Sequence, residues 1–315
     1  MQIWDADDLL CYGDESYDAN QERVFGVAGL FGTAKQWGCL EEKWLAITEG
    51  VPFHATDCEA RQGAYKGLSR ERTLGVYPEL TQALASSKLL GYGVAINLQA
   101  EREYLPHALK EGRYLRAFGE VMAEMACLAR LSIPQRPVNV IFDPRTETNF
   151  TANALYQYLR SITECEDFQF LAAGPIFPQG DKPKPIGLQI ADLWVREVMK
   201  CMDNQIPPNK IPMRLSLEAL IITKRFRIGQ YGQSALRNIS EMVKAMDTDP
   251  NINAAFHRDS YTDFLQSAGC KDSWNTILKF LAEHDIRQRV AGNRTHFEDI
   301  RDWGRVRQDT ISGSN

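Results

Sequence analysis

Leu9-Leu10-Cys11-Tyr12-Gly13-Asp14-Glu15-Ser16 and, after a polar turn, Val24-Phe25-Gly26-Val27-Ala28-Gly29-Leu30-Phe31 are the stretches on which the fold turns. Leu9 to Gly13 reads as a strand and Val24 to Phe31 as a second, glycine-rich one, close enough in sequence to follow each other as a hairpin does. Thr33 then stands where a helix cap would, ahead of Trp37, Leu40, Trp44 and Ile47 at helical spacing, with Gly50 as the stop. Further out come a short piece over 51–57, a helix around Arg70 to Ser86, a strand from Leu89 to Leu98 and a long helix from Tyr114 to Leu131. Val138-Asn139-Val140-Ile141-Phe142 is an apolar, β-branched run that suits a buried strand. A helix over Ala152 to Ile162, a strand over Phe168 to Ile176 and a helix over Ile186 to Met202 complete the series. Strands in succession, then strands alternating with helices, predict an α/β fold, a mixed sheet flanked by helices.

The Pro-rich Ile206-Pro207-Pro208-Asn209-Lys210-Ile211-Pro212 stretch divides the chain into a core over 1–204 and a mainly helical extension over 205–315. No repeat of 20–50 residues points to a solenoid. No apolar run approaches the roughly 18 residues of a spanning helix, so no membrane partner is expected. The acidic first residues do not resemble a signal peptide. Seven cysteines without a C-x-x-C pair fit reduced thiols and a cytoplasmic location. A net charge of -5 excludes a chain that is basic throughout.

Four aspartates sit where strands or helices would bring them to one end of a sheet. Asp14 closes the first strand, and alternation places it on the face opposite Glu15. Asp57 ends Phe53-His54-Ala55-Thr56-Asp57, and Asp143 follows the Val138–Phe142 run, at the carboxyl end of a strand where α/β sheets bind ligands. Asp192 lies inside a helix, on the shoulder of the stripe formed by Leu188, Ala191, Val195, Val198 and Met202. Singly, each has a structural reading: a turn or cap for Asp14, Asx-turns for Asp57 and Asp143, an i,i+4 pair with Arg196 for Asp192. Together they form the pattern of a two-metal nuclease, in which carboxylates from separate elements hold Mg²⁺ or Mn²⁺ and the ions activate water and stabilise the leaving oxygen.

Asp14-Glu15-Ser16, Phe53-His54-Ala55-Thr56-Asp57, Asp143 after an apolar strand, and Gln189-Ile190-Ala191-Asp192-Leu193 resemble the motifs of the domain-of-unknown-function 3800 family, over about residues 9–200. That resemblance implies a ribonuclease H-like core with Asp14, Asp57, Asp143 and Asp192 as metal ligands. Tyr17 departs from the family pattern, which has Gly after Asp-Glu-Ser.

Around these acids, His54 is a candidate general base or a packed histidine, and Glu15, Glu59 and Glu147 are secondary acids. Lys182 and Lys184, just before the Asp192 helix, are candidate phosphate contacts or a solvated loop. Residues 205–245 carry 7 basic and 2 acidic side chains, with Lys224, Arg225 and Arg227 close together, either a nucleic-acid contact or a solvated face. No P-loop, dinucleotide fingerprint, His-Glu-x-x-His or Gly-x-Ser-x-Gly occurs. The expected activity is metal-dependent cleavage of DNA or RNA, with the extension contacting substrate or forming a homo-oligomer. The competing expectation is a non-catalytic ribonuclease H-like module that binds a nucleic-acid or protein partner.

Overall fold

The computed structural model describes residues 4–18, 20–106, 110–132, 135–143, 152–153, 156–157, 159–160, 166–178, 184–209 and 211–248. Five strands form one mixed sheet among these residues: β1 (Leu9–Tyr17), β2 (Val24–Thr33), β3 (Leu90–Asn97), β4 (Val138–Phe142) and β5 (Phe226–Tyr231), in the order β4-β1-β2-β3-β5. β2 is antiparallel to both β1 and β3, β4 runs parallel to β1, and β5 runs parallel to β3. The carboxyl ends of β1, β3, β4 and β5 therefore lie at the same end of the sheet.

Helices cover both faces, as a sheet buried on both sides requires. On one face, α1 (Ala34–Thr48), α2 (Ala55–Ala60), α3 (Arg70–Ser86), α6 (Ile186–Asp203) and α7 (Leu215–Ile221) share a core with Leu10, Tyr12 and Ala28. On the other, α4 (Leu98–Tyr104), α5 (Lys110–Leu131) and α8 (Gln233–Thr248) share one with Cys11, Phe25, Val27 and Val94. The predicted cap at Thr33 is a full capping box: its hydroxyl accepts from the Gln36 N–H while the Gln36 side chain accepts from the Thr33 N–H.

α6 is the element that builds the site. It lies in a trough of small residues on β2 and β3, where a Cβ on Gly93 would stand 2.4 Å from Val198 and one on Gly26 would stand 3.5 Å from Met199. At its first turn, Gly187 passes directly over the Tyr12 ring, and a Cβ there would meet the ring at 2.6 Å. A Cβ at Gly26 would only make ordinary contact, but side chains at Gly93 and Gly187 would push the helix off the sheet; without them, its buried face descends onto β1 beside Asp14.

Three expectations need correction. The segment 168–176 is not a regular strand. After a 3₁₀ turn over Glu166–Phe170, it touches β4 at two isolated parallel bridges, Val138↔Leu171 and Ile141↔Ile176. Gly174 and Pro175 fall between them, and proline has no N–H to give a ladder. The piece ending at Asp57 enters a helix, α2, with Asp57 in its first turn. Finally, the mainly helical extension after residue 205 also supplies a strand that the sequence reading did not find, because β5 completes the sheet. Its Phe226 and Tyr231 are buried while the residues between are half-buried or exposed, so this edge strand carries little alternation for a sequence reading to find. The fold thus continues past the expected boundary at 204. Residues 249–315, Glu147 and Lys182 lie outside the described residues, as does much of the helix expected over 152–162. No helix among the described residues is long and apolar enough to cross a membrane.

Candidate functional site

Strand register brings the first two acids together. β1 and β4 pair in parallel with Gly13 opposite Phe142, and the Asp143 N–H donates to the Gly13 carbonyl at 3.1 Å. One residue further along each strand, Asp14 and Asp143 are neighbours. Both fall on the α6 face by the alternation that puts Tyr12 and Ile141 into that core. Glu15 points to the opposite face, where it is buried on the α5 side of the sheet. The sheet itself separates it from Asp14.

α6 supplies the third acid. Asp192 is buried, and its Oδ2 accepts the Ala55 N–H at 2.6 Å. Ala55 is the first residue of α2, so the carboxylate satisfies an N–H that has no partner within its own helix. Gln189, one turn earlier, fixes two approaching segments at once: its Oε1 accepts the Phe53 N–H at 2.8 Å and its Nε2 donates to the Lys184 carbonyl at 3.0 Å. The i,i+4 pair of Asp192 with Arg196 is not formed. Arg196 instead makes two hydrogen bonds to Glu59 Oε2, at 2.9 and 2.6 Å.

Between the acids stands an ammonium. Lys184 Nζ lies 3.0 Å from Asp14 Oδ2 and 2.9 Å from Asp143 Oδ2. Asp14 Oδ1 is already taken by the Glu15 N–H at 2.7 Å. Burial pushes the Asp14 carboxyl up to about 8; Lys184 opposes the shift, and the charges of Asp192 and Asp143 add to it. Asp192 is likewise raised by burial, against the pull of Lys184, His54 and the Ala55 N–H. Lys184 is itself held above the ordinary lysine value, because its three carboxylate neighbours outweigh its desolvation. One ammonium faces three carboxyl groups, two of which burial holds above the ordinary carboxylate range.

Asp57 stands apart from this trio. It pairs with His54, Nδ1 to Oδ2 at 3.4 Å, and Gly63, at a φ of +50°, presses against its carboxylate where a Cβ would come within 2.6 Å. His54 is the N-cap residue of α2 and bears electrostatically on Asp192, so it lies between Asp57 and the trio. Glu59 belongs to another network. Arg196 and Arg214 hold it below the usual carboxylate range against the effect of burial, and Arg214 also reaches the fully buried Glu197, which accepts from Tyr77 and Ser216.

The basic residues 224–227 lie elsewhere. Lys224 and Arg225 just precede β5, and the register carries Arg227 through Tyr92 and Gly29 to Gly13, so Arg227 is level with the Asp14 region but on the opposite face, the one Tyr92 occupies. They are also three strand spacings from β1, about 14 Å across. Arg225 turns inward to the Ala85 carbonyl. The width of β2 and β3 therefore separates Lys224, Arg225 and Arg227 from Asp14.

The chemistry of the donors, carboxylate oxygens from β1, from the residue after β4 and from α6, is that of a hard divalent ion's ligands. Among the described residues, no group of three or more His, Cys, Asp or Glu is arranged as a ready set of metal ligands. Lys184 occupies the space between two of the acids. Sequence reasoning singled out Lys184 as a candidate phosphate contact but missed its pairing with Asp14 and Asp143, and it missed the two-sided role of Gln189; the signal for both was proximity, since Lys184 and Gln189 flank the start of the helix that carries Asp192. Comparison with protein-family models, with curated proteins and with solved structures found no match to this chain.

Proposed function

We propose that the chain is a metal-dependent nuclease with a ribonuclease H-like core, as the resemblance to the domain-of-unknown-function 3800 motifs implies. The observation that carries the reading is the acidic trio: Asp14 within β1, which runs on to Tyr17 rather than closing at Asp14 as expected, Asp143 just past the end of the parallel β4, and Asp192 on the helix laid across them. An antiparallel β1-β2-β3 unit with β4 added in parallel beside β1, Asp143 following β4 and Asp14 beside it within β1, supports the fold assignment. Asp14, Asp143 and Asp192 would hold Mg²⁺ or Mn²⁺, with Asp57 joining only after a local adjustment of α2. Bound there, the cation would supply Lewis acidity to a phosphodiester. The chain's own parts have definite tasks. Gln189 fixes the approach of the Lys184 and Phe53 segments, α2 presents His54 beside Asp192, and the two cores keep the acids rigid. Nucleic acid, DNA or RNA, is the substrate, and a cytoplasmic setting suits the free thiols among the described residues.

Purified protein with Mn²⁺ or Mg²⁺ on labelled DNA and RNA, beside Asp14→Asn and Asp192→Asn, tests the reading. Metal-dependent cleavage lost in both variants is expected. Cleavage that survives both, or that needs no divalent ion, overturns it. A second reading rests on Lys184, whose ammonium already compensates part of the acidic charge: a non-catalytic module that binds a nucleic-acid or protein partner. Absence of Mn²⁺ binding at millimolar concentration by the folded protein would select that reading.

A further inference from the structure

Lys184 occupies the two oxygens that a bridging cation would use. Asp14 Oδ1 is committed to the Glu15 N–H, so Oδ2 is the oxygen Asp14 has left to offer, and Lys184 Nζ sits on it at 3.0 Å while also touching Asp143 Oδ2 at 2.9 Å. A divalent ion binds carboxylate oxygens at about 2.1 Å and brings twice the charge, so the ion and the ammonium cannot share that position. The lysine backbone, in contrast, has no need to move. Its carbonyl is held by Gln189 Nε2, and Pro185 next to it is the N-cap residue of α6. The side chain is 27% exposed, against 6% for Asp14, so the ammonium has a way out to solvent that the carboxylate lacks.

We propose that Lys184 and a divalent cation are alternative occupants of the Asp14–Asp143 pair, and that metal binding is an exchange in which the ammonium swings out while its backbone stays fixed. Lys184 thereby acts as a built-in counter-ion that keeps the metal-free acids together. Once displaced, it stands at the rim of the site, within reach of an anionic substrate group. This rests on the metal-binding reading above but adds a competition that the reading does not require.

Two measurements on the full chain test it. Titration calorimetry at pH 8 compares Mn²⁺ binding by the native protein, Lys184→Met and Lys184→Arg. The exchange predicts binding tighter by roughly tenfold in Lys184→Met, and near-native binding in Lys184→Arg, which keeps a competing cation. In the native protein, acetylation of lysines by an N-hydroxysuccinimide ester, mapped by mass spectrometry, should be slow at Lys184 without metal. It should rise several-fold with saturating Mn²⁺, while the exposed Lys35 and Lys88 are unchanged. That second measurement holds even if the methionine variant fails to fold. Mn²⁺ binding no tighter in Lys184→Met, or Lys184 labelling indifferent to Mn²⁺, overturns the exchange and leaves the nuclease reading standing. Tighter binding with no cleavage by any form retains the exchange and removes the nuclease. No Mn²⁺ binding by any form overturns both.

Discussion

Replacing Gly187 by alanine asks whether the descent of α6 onto β1 is what assembles the site. The added methyl would meet three atoms of the Tyr12 ring at 2.6–2.7 Å, about an ångström inside ordinary contact. Tyr12 cannot turn aside easily, because it is buried and packs edge-on against Trp37 at 4.7 Å between ring centres. Either the ring or the helix must shift. Overpacking of this kind costs about 1–3 kcal/mol, while alanine in place of glycine within a helix returns at most about 1 kcal/mol. A net loss of about 1–2 kcal/mol is expected. Gly75, inside α3, is the control: its added methyl would meet only the flexible end of Glu79 at 3.2 Å. Gly75→Ala should stabilise by about 0.5 kcal/mol. Urea denaturation followed by tryptophan fluorescence measures both. Gly187→Ala as stable as the native protein, or more so, would refute the close approach and with it the argument for how Asp192 reaches Asp14.

Two further outcomes follow from the same packing. Asp203 accepts from Arg23 Nε at 3.0 Å and Lys200 Nζ at 3.0 Å, which hold its carboxyl below the ordinary value against the effect of burial. The stability it contributes is present above the unfolded pKa, near 4, and is lost as pH falls through the depressed folded value. Asp203→Asn should therefore cost about 1 kcal/mol at pH 7, a gap that closes on acidification; a gap independent of pH in urea melts contradicts the pairing. Phe226, buried on β5 against Trp194 at 5.2 Å, should cost about 3–5 kcal/mol on replacement by alanine. A loss under 1 kcal/mol would mean that the sheet ends at β3.

The parts legible in the sequence were those that depend on local pattern. Alternation along Leu9–Asp14 assigned Asp14 and Glu15 to opposite faces, and the structure keeps them there. The apolar run before Asp143 announced a strand end, and the stripe on Ile186–Met202 announced a buried helix with Asp192 at its margin. What stayed hidden depends on register between distant segments. Nothing local says that Gly13 pairs with Phe142, which is what sets Asp14 beside Asp143. Nothing local says that Arg196 prefers Glu59, 137 residues away, to the aspartate one turn before it. β5 was illegible for the same reason. Its partner is β3, more than a hundred residues earlier, and its exposed edge relaxes the alternation that would mark it.

Charge illustrates the same division between composition and placement. The whole-chain value of -5 argues weakly against a nucleic-acid ligand, and the basic stretch 205–245 invites the opposite conclusion. Neither figure governs the site. The cations of 224–227 are carried to the β5 edge of the sheet, with β2 and β3 between them and β1, and Arg225 is spent on a backbone carbonyl. The field at the candidate site is set instead by three carboxyl groups and one ammonium. Its sign toward a phosphate is therefore decided by what lies between Asp14 and Asp143. With Lys184 inside, the ammonium and the burial that raises the Asp14 and Asp192 carboxyls leave little free charge to draw a phosphate. With a divalent ion inside and the ammonium displaced to the rim, the same residues present three positive charges against three negative ones. Affinity for nucleic acid near Asp14 should thus follow divalent metal more steeply than it follows total charge or ionic strength.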